Sequence, residues 1–233
     1  DSSLIPSFQV FEEVSKHCKV VLGGDGADEI FGGYKHHNRS YLLQLLTRPL
    51  GYQFRQILQE IVSKHDYCFN KGRNYLSNIG ADFKLSLPII PLYFSQSMRM
   101  KLTGRHLSAQ HQAEYNWKHN VPMVTDYRLR QLHMDFQNFL VSDILVKVDR
   151  TSMMHSVEVR APILNRDLLD YAFGDIPTKF KYNTKSRKMV LQQLAQGNLP
   201  SSFNTKRKQG FSLPLGDWIR SGPFRDLFND VLR

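Results

Sequence analysis

The chain has 233 residues, 41% of them hydrophobic and 12% aromatic, enough apolar content to bury one substantial core and to exclude disordered and low-complexity classes. Its 31 Lys and Arg against 21 Asp and Glu leave a formal net charge of +10, which suits a polyanionic partner such as nucleic acid, a membrane surface or nucleotide phosphates without choosing among them. Two cysteines, Cys18 and Cys68, are too few for a disulfide framework or a zinc cluster, and with no apolar run near the ~20 residues of a membrane helix they predict a cytoplasmic setting.

The chain opens on Asp1 rather than Met, in Asp-Ser-Ser-Leu-Ile-Pro, which lacks the basic and apolar regions of a signal peptide and reads as an ordered turn, so a piece of a longer protein is expected. Ser7 to Cys18 carries Phe8, Val10, Phe11, Val14 and Cys18 at helical spacing after Pro6, which predicts a short amphipathic helix ending near Lys19. Cys18, although beside His17, is expected to be a buried thiol. Val20-Val21-Leu22 predicts a buried strand running into a turn at Gly23-Gly24. Helix, strand and Gly-rich turn in that order are the signature of an α/β unit. Asn38-Arg39-Ser40 is an idle glycosylation match. Residues 51–65, 127–138 and 143–155 show three-to-four-residue apolar spacing, no second strand of comparable quality follows, and the remainder is expected to be helical. Lys71 to Val124, with Leu87-Pro88 and Pro91-Leu92, predicts irregular helices and loops. From Ile176 to Gly216, Lys179, Lys181, Lys185, Arg187, Lys188, Lys206, Arg207 and Lys208 occur without one Asp or Glu, so this stretch holds most of the net charge.

Three segments can carry chemistry. In residues 23–34 five glycines follow the strand and let the backbone approach a ligand, while Asp25, Asp28 and Glu29 place three carboxylates at one strand end. Such oxygens suit Mg²⁺, which takes one or two protein carboxylates and completes its octahedron with phosphates and water. G-x-x-x-x-G-K-S/T is absent, and Glu29 occupies the last Gly of G-x-G-x-x-G; the plain alternative is a turn capped by Asp28 at a helix start.

In residues 145–162 Asp149, Arg150, Glu158 and Arg160 are expected to form a buried network, with Arg160 or Lys147 orienting a bound anion as the functional alternative. Pro162 favours an extended exit from the helix, which puts Glu158 and Arg160 on one face, opposite Val157, Val159 and Ala161. Breaking such a buried pair would cost roughly 3–5 kcal/mol.

Third, Lys185, Arg187 and Lys188 precede the amphipathic Met189, Val190, Leu191 and Leu194. Cations at a helix start oppose the dipole unless an anion shares the site. A solvated basic face and nucleic-acid binding stay open, since Phe180, Tyr182, Phe203 and Phe211 interleave the cations. Nine histidines show neither H-E-x-x-H nor a Cys/His cluster, so no transition-metal site is expected.

Together, D-S-S-x-I-P, V-V-L-G-G-D-G-A-D-E-I-F-G-G-Y, L-V-K-V-D-R-T-S-M, E-V-R-A-P-I-L-N, R-K-x-x-L, K-R-K-Q-G-F-S-L-P and Asp217-Trp218 resemble, in that order, the C-terminal synthetase domain of the glutamine-dependent asparagine synthetases. The resemblance covers nearly the whole chain, and no family motif falls in residues 42–123. It implies an α/β fold, the mostly helical C-terminal portion of an adenine-nucleotide α-hydrolase-like (ATP pyrophosphatase) domain with at least one strand before the Gly-rich turn. It also implies an amidotransferase that uses ATP and Mg²⁺, forms aspartyl-AMP from aspartate, and lets ammonia from glutamine displace AMP; amidation or cyclisation of another carboxylate remains the alternative. The resemblance makes Gly23 and Gly24 nucleotide contacts, with Gly23 in place of a usual Ser. Asp25 falls on the acidic position used in forming the adenylate and in its onward reaction, Asp28 on the Mg²⁺ ligand at pyrophosphate, and Lys188 on the lysine that neutralises the reacting phosphates. Asn165 and Ile163 stand where Asp and Phe are usual, changes expected to touch packing. The S-G-G-x-D-S loop and the glutaminase domain are expected upstream, so residues 1–233 alone are expected to be inert. No membrane or nucleic-acid partner is implied, and a homodimer stays open.

Overall fold

The structure, a computed structural model, describes residues 3–64, 79–80, 96–104, 117, 121–200, 202–205, 213–222 and 224–231. Helix α1 (Leu4–Val14) starts and ends earlier than its apolar spacing predicts. Pro6 falls in the first turn, where a missing N–H costs nothing, and after Val14 the chain unwinds through turn bonds from His17 and Cys18 N–H to the Val14 carbonyl (2.9 and 3.0 Å). Cys18 therefore lies beyond the helix and is exposed, contrary to expectation.

Strand β1 (Val20–Leu22) forms as predicted, but it is paired in parallel with a second strand, β2 (Glu158–Arg160), in the register Val20↔Glu158, Val21↔Val159 and Leu22↔Arg160. The extended exit that Pro162 favours is thus observed, although one apolar residue between two charged ones is too short a pattern to mark a paired strand. The expected burial of β1 is also corrected: Val20 is 54% and Leu22 77% exposed. In both strands the middle side chain is the more buried one.

Between the strands come α2 (Ala27–Phe31), α3 (Lys35–Thr47), α4 (Tyr52–Lys64) and α5 (Gln96–Thr103). There follows one rod in which α6 (Tyr127–Met134), a π-wound segment (Asp135–Ile144) and α7 (Leu145–Met153) are continuous. The sequence predicts two helices here; the structure joins them through wide turns, a winding that recurs at functional sites. Past β2 come α8 (Arg166–Asp170), α9 (Thr178–Lys181), α10 (Met189–Asn198), α11 (Leu215–Ser221) and α12 (Arg225–Val231). Of the predicted irregular region Lys71–Val124, the stretches carrying Leu87-Pro88 and Pro91-Leu92 lie outside the described residues, as does Cys68. No helix among the described residues is long and apolar enough to cross a membrane.

The core that matters for the site is built on α2. Ile30 and Phe31 are 0% and 2% exposed and pack with Ala172 against Phe136, Ile163, Leu164, Val190 and Leu191. Of the two residues expected to touch packing, Ile163 does so, whereas Asn165 caps α8 by accepting the Asp167 N–H (2.9 Å).

Lys181, read from the sequence as part of a basic surface, is 0% exposed. Its ammonium has no hydrogen-bond partner among the described residues and sits 4.9 Å over the Phe173 ring. Burial pushes the group down to about 8, against the pull of Asp126. Because the folded value lies below the ordinary 10.5, the unfolded chain binds more protons between the two, and stability rises with pH through that window. Lys181→Met is expected to raise the melting temperature at pH 7 by the equivalent of about 1–3 kcal/mol. Thermal melts from pH 7 to 10.5 check it: the advantage should shrink steadily, and a gain that ignores pH would contradict the buried-cation account.

Candidate functional site

The site grows from the end of β1. Gly23 N–H donates to the Arg160 carbonyl (2.8 Å), so strand pairing continues into the turn. A Cβ on Gly23 would meet Asp25 Oδ2 at 2.9 Å and Val159 Cγ1 at 3.0 Å, whereas one on Gly24 would meet nothing. Gly26 has φ +91° and would drive a Cβ to 2.3 Å from Leu164, so glycine is required there twice over. Gly26, not Asp28, is the N-cap of α2. The plain alternative, in which Asp28 caps a helix start, is corrected: Asp28 is the second residue of the helix, with its carboxylate only partly covered.

Lys188 reaches that carboxylate from the far end of the chain, with Nζ 2.9 Å from Asp28 Oδ1. The approach is tight: a Cβ on Gly33 would lie 1.6 Å from Asp28 Oδ1 and 2.3 Å from Lys188 Cε. Two predicted site residues are thus brought into contact over a floor that only glycine permits. Lys188 caps α10 in the left-handed region, φ 49° and ψ 38°, a conformation that costs a side-chain-bearing residue of order 1 kcal/mol or more.

Asp25 is half-buried, and burial raises its proton affinity while the Lys147 ammonium opposes that rise. Lys147 also donates to Ser3 Oγ (2.7 Å). The structure therefore sets Lys147 near Asp25 and leaves Asp149 and Arg150 exposed on α7. The expected buried network does not form. Arg160 does pair with Glu158, but their side chains are 70% and 49% exposed on the open face of the sheet. Of the basic stretch, Lys206, Arg207, Lys208 and Phe211 lie outside the described residues, while Lys181 and Tyr182 are both 0% exposed. Lys181 and Tyr182 therefore do not contribute to an exposed face of alternating cations and aromatics, which nucleic acid would need.

Sequence reading missed a buried polar cluster next to this turn. His36 Nε2 and His37 Nε2 each lie 2.6 Å from the same oxygen, Asp135 Oδ2, and Tyr34 stacks on His36 with centroids 5.1 Å apart while its hydroxyl donates to Glu29. Burial would raise the Asp135 carboxyl, yet the two imidazoles hold it below the usual carboxylate range. Burial also lowers His37 and raises Glu29. The expectation of no transition-metal site, drawn from absent sequence motifs, did not foresee this group: His36, His37 and Asp135 converge closely enough to hold an ion. For His37 the hydrogen bonds argue for a proton instead. His37 Nδ1 accepts the Tyr34 N–H (3.4 Å), which leaves the proton on Nε2, directed at Asp135; a metal at Nε2 would require the opposite tautomer and an acceptor at Nδ1. The signal in the sequence was the His36-His37 pair just after Gly-Gly-Tyr, and Asp135 is too distant in the chain to be linked to it by spacing.

A family model described as "Asparagine synthase" matches residues 1–233. The chain is 30% identical over 237 residues to a "Putative asparagine synthetase (glutamine-hydrolyzing)" of Mycobacterium tuberculosis (strain ATCC 25618 / H37Rv), covering 95% of this chain and 34% of that protein. It is 26% identical over 232 residues to "Asparagine synthetase (glutamine-hydrolyzing) 1" of Bacillus subtilis (strain 168), covering 95% and 35%. The chain thus spans about a third of the length of these relatives. No solved structure matches.

The exposed Glu158–Arg160 pair yields a prediction opposite to the one its sequence suggested. A solvent-screened pair contributes about 0–1 kcal/mol, so Glu158→Ala and Arg160→Ala should each melt within a few degrees of the unsubstituted protein. A loss of the order expected for a buried pair, roughly 3 kcal/mol or more, would show that this face is covered.

Proposed function

The chain belongs to the asparagine synthase family, and from that premise we propose that it carries the carboxylate-activating half of an ATP-dependent ligase that makes asparagine from aspartate. The observation that carries the reading is the Asp28–Lys188 contact above Gly33. A carboxylate and an ammonium held at the end of a strand, next to an open glycine turn, suit a bound di- or triphosphate. In this reading the β-carboxylate of aspartate attacks the α-phosphorus of ATP, pyrophosphate leaves, and ammonia then displaces AMP from aspartyl-AMP.

Each residue's part, implied by the family resemblance, suits its surroundings. Gly24, exposed and with open space where a Cβ would stand, presents its peptide to the nucleotide; Gly23, hemmed by Asp25 and Val159, replaces a side-chain hydroxyl with backbone alone. Lys188 places positive charge where pyrophosphate accumulates negative charge, a contribution made largely in the transition state. Asp25, its proton affinity raised by burial, is suited to take the proton that attacking ammonia must lose.

The family resemblance puts magnesium on Asp28, and the surroundings suit that choice: Glu29 is buried and engaged by Tyr34, and half-buried Asp25 is assigned the proton of ammonia. One carboxylate is what Mg²⁺ usually takes alongside phosphate oxygens, so the donor set fits, and the ion would add charge neutralisation to the leaving group. Lys188 must then share Asp28 with the ion. The reading assigns residues 1–233 to part of a synthetase unit and needs a phosphate-cradling S-G-G-x-D-S loop and a glutaminase from other sequence; ATP, aspartate and glutamine-derived ammonia are its proposed small-molecule partners.

Asp28→Asn in the full-length protein should reduce aspartate-dependent pyrophosphate release by 100-fold or more, on the order of a lost charge-stabilising contact, with an unchanged melting temperature. Lys188→Ala should slow the same half-reaction and spare glutamine hydrolysis. Pyrophosphate release at the unsubstituted rate from Asp28→Asn would reject the metal assignment, and equal loss of both activities would mean a folding defect.

A further inference from the structure

Lys188 does not hold its position by itself. Two consecutive residues, Arg187 and Lys188, are clipped onto the two ends of the turn that follows α2. The Lys188 N–H donates to the Phe31 carbonyl (3.2 Å), and the Arg187 guanidinium donates through Nη1 to the Gly33 carbonyl (3.0 Å). The loop that delivers them is fastened as well. Asn183 Oδ1 accepts the Lys185 and Ser186 N–H groups (2.8 and 2.7 Å), and Asn38 of α3 donates to the Ser186 carbonyl (3.0 Å). Such fastening is what a left-handed, side-chain-bearing residue needs in order to persist.

We propose that Arg187 is a positioning residue for Lys188: by tying the Gly33 carbonyl it holds the left-handed turn at Lys188 and the floor beneath its side chain, and so sets the gap between the Lys188 ammonium and the Asp28 carboxylate. The proposal rests on the reading of that gap as the pyrophosphate site. Arg187 has an inward task that a basic surface residue lacks. Its hydrogen bond ends on the glycine whose missing Cβ leaves room for both charged groups. When the guanidinium is removed, Gly33 loses this tether, the left-handed conformation at Lys188 relaxes toward the ordinary helical region, and the ammonium withdraws from Asp28.

The test uses the full-length protein with ATP, aspartate and ammonium chloride, so that glutamine hydrolysis does not enter. Arg187→Ala should lower kcat for pyrophosphate release by about 10- to 100-fold, the scale of a misplaced catalytic group. The Mg²⁺ concentration for half-maximal rate should fall at least twofold, since Asp28 loses its competing cation, and the melting temperature should stay within a few degrees. Without nucleotide, the Lys188 amide should exchange with deuterium about tenfold faster. Arg187→Lys, which restores a donor, should recover part of the rate. A kcat for Arg187→Ala within twofold of the unsubstituted protein overturns the proposal; so does a loss of rate with the Mg²⁺ requirement and Lys188 exchange unchanged. Slow Lys188→Ala with fast Arg187→Ala sinks the positioning role alone, whereas fast Lys188→Ala sinks the site reading and the proposal with it.

Discussion

The contact between Asp28 and Lys188 over Gly33 sets the demands that the surrounding turn, helix and core have to meet. It joins the turn after β1 to the start of α10, and it works only because three separate conditions hold. Asp28 must emerge from a helix that cannot move, Lys188 must turn in the left-handed region, and nothing larger than a hydrogen can stand at Gly33. α2 meets the first condition with the buried Ile30 and Phe31. Each buried side chain of this size contributes about 1.5–3 kcal/mol, well above what a partly exposed ion pair supplies. The core therefore holds the charges in place, and the charges do not hold the core.

Beneath the turn, Tyr34 ties α2 to α3 through Glu29 and His37, and Asp135 ties α3 to the π-wound segment. A proton on His37 Nε2, directed at Asp135, fits this cluster, because Nδ1 of the same ring accepts the Tyr34 N–H. The wide turns of the rod begin at Asp135 itself, where one carboxylate oxygen meets both imidazoles. A buried carboxylate so engaged stays ionised, and losing one histidine would leave it under-compensated.

Legibility in the sequence followed the range of the interaction concerned. The strand at Val20–Leu22, the glycine turn and the helices after residue 127 were written in local patterns of period and composition, as were the acidic residues of the turn. What failed was set by tertiary context. β2 was legible only as an extended exit before Pro162, not as a paired strand, because Val159 is its one apolar residue. Glu158 and Arg160 were expected inside because charged residues at two-residue spacing can form a buried pair, yet the sheet face they occupy is open among the described residues. Lys181 looked like its basic neighbours and lies in the core. The family resemblance supplied the roles proposed for Asp25, Asp28 and Lys188, which spacing could not, and the structure added that the last two touch. It also added Arg187, whose bond to Gly33 has no signature in a run of cations.

If Asp28 and Lys188 serve one bound pyrophosphate, they act as a unit, and a double-mutant cycle on aspartate-dependent pyrophosphate release measures that directly. The account predicts strong coupling: the Asp28→Asn, Lys188→Ala double variant should be hardly slower than the slower single variant. Losses that multiply, as for two independent groups, would contradict a shared site.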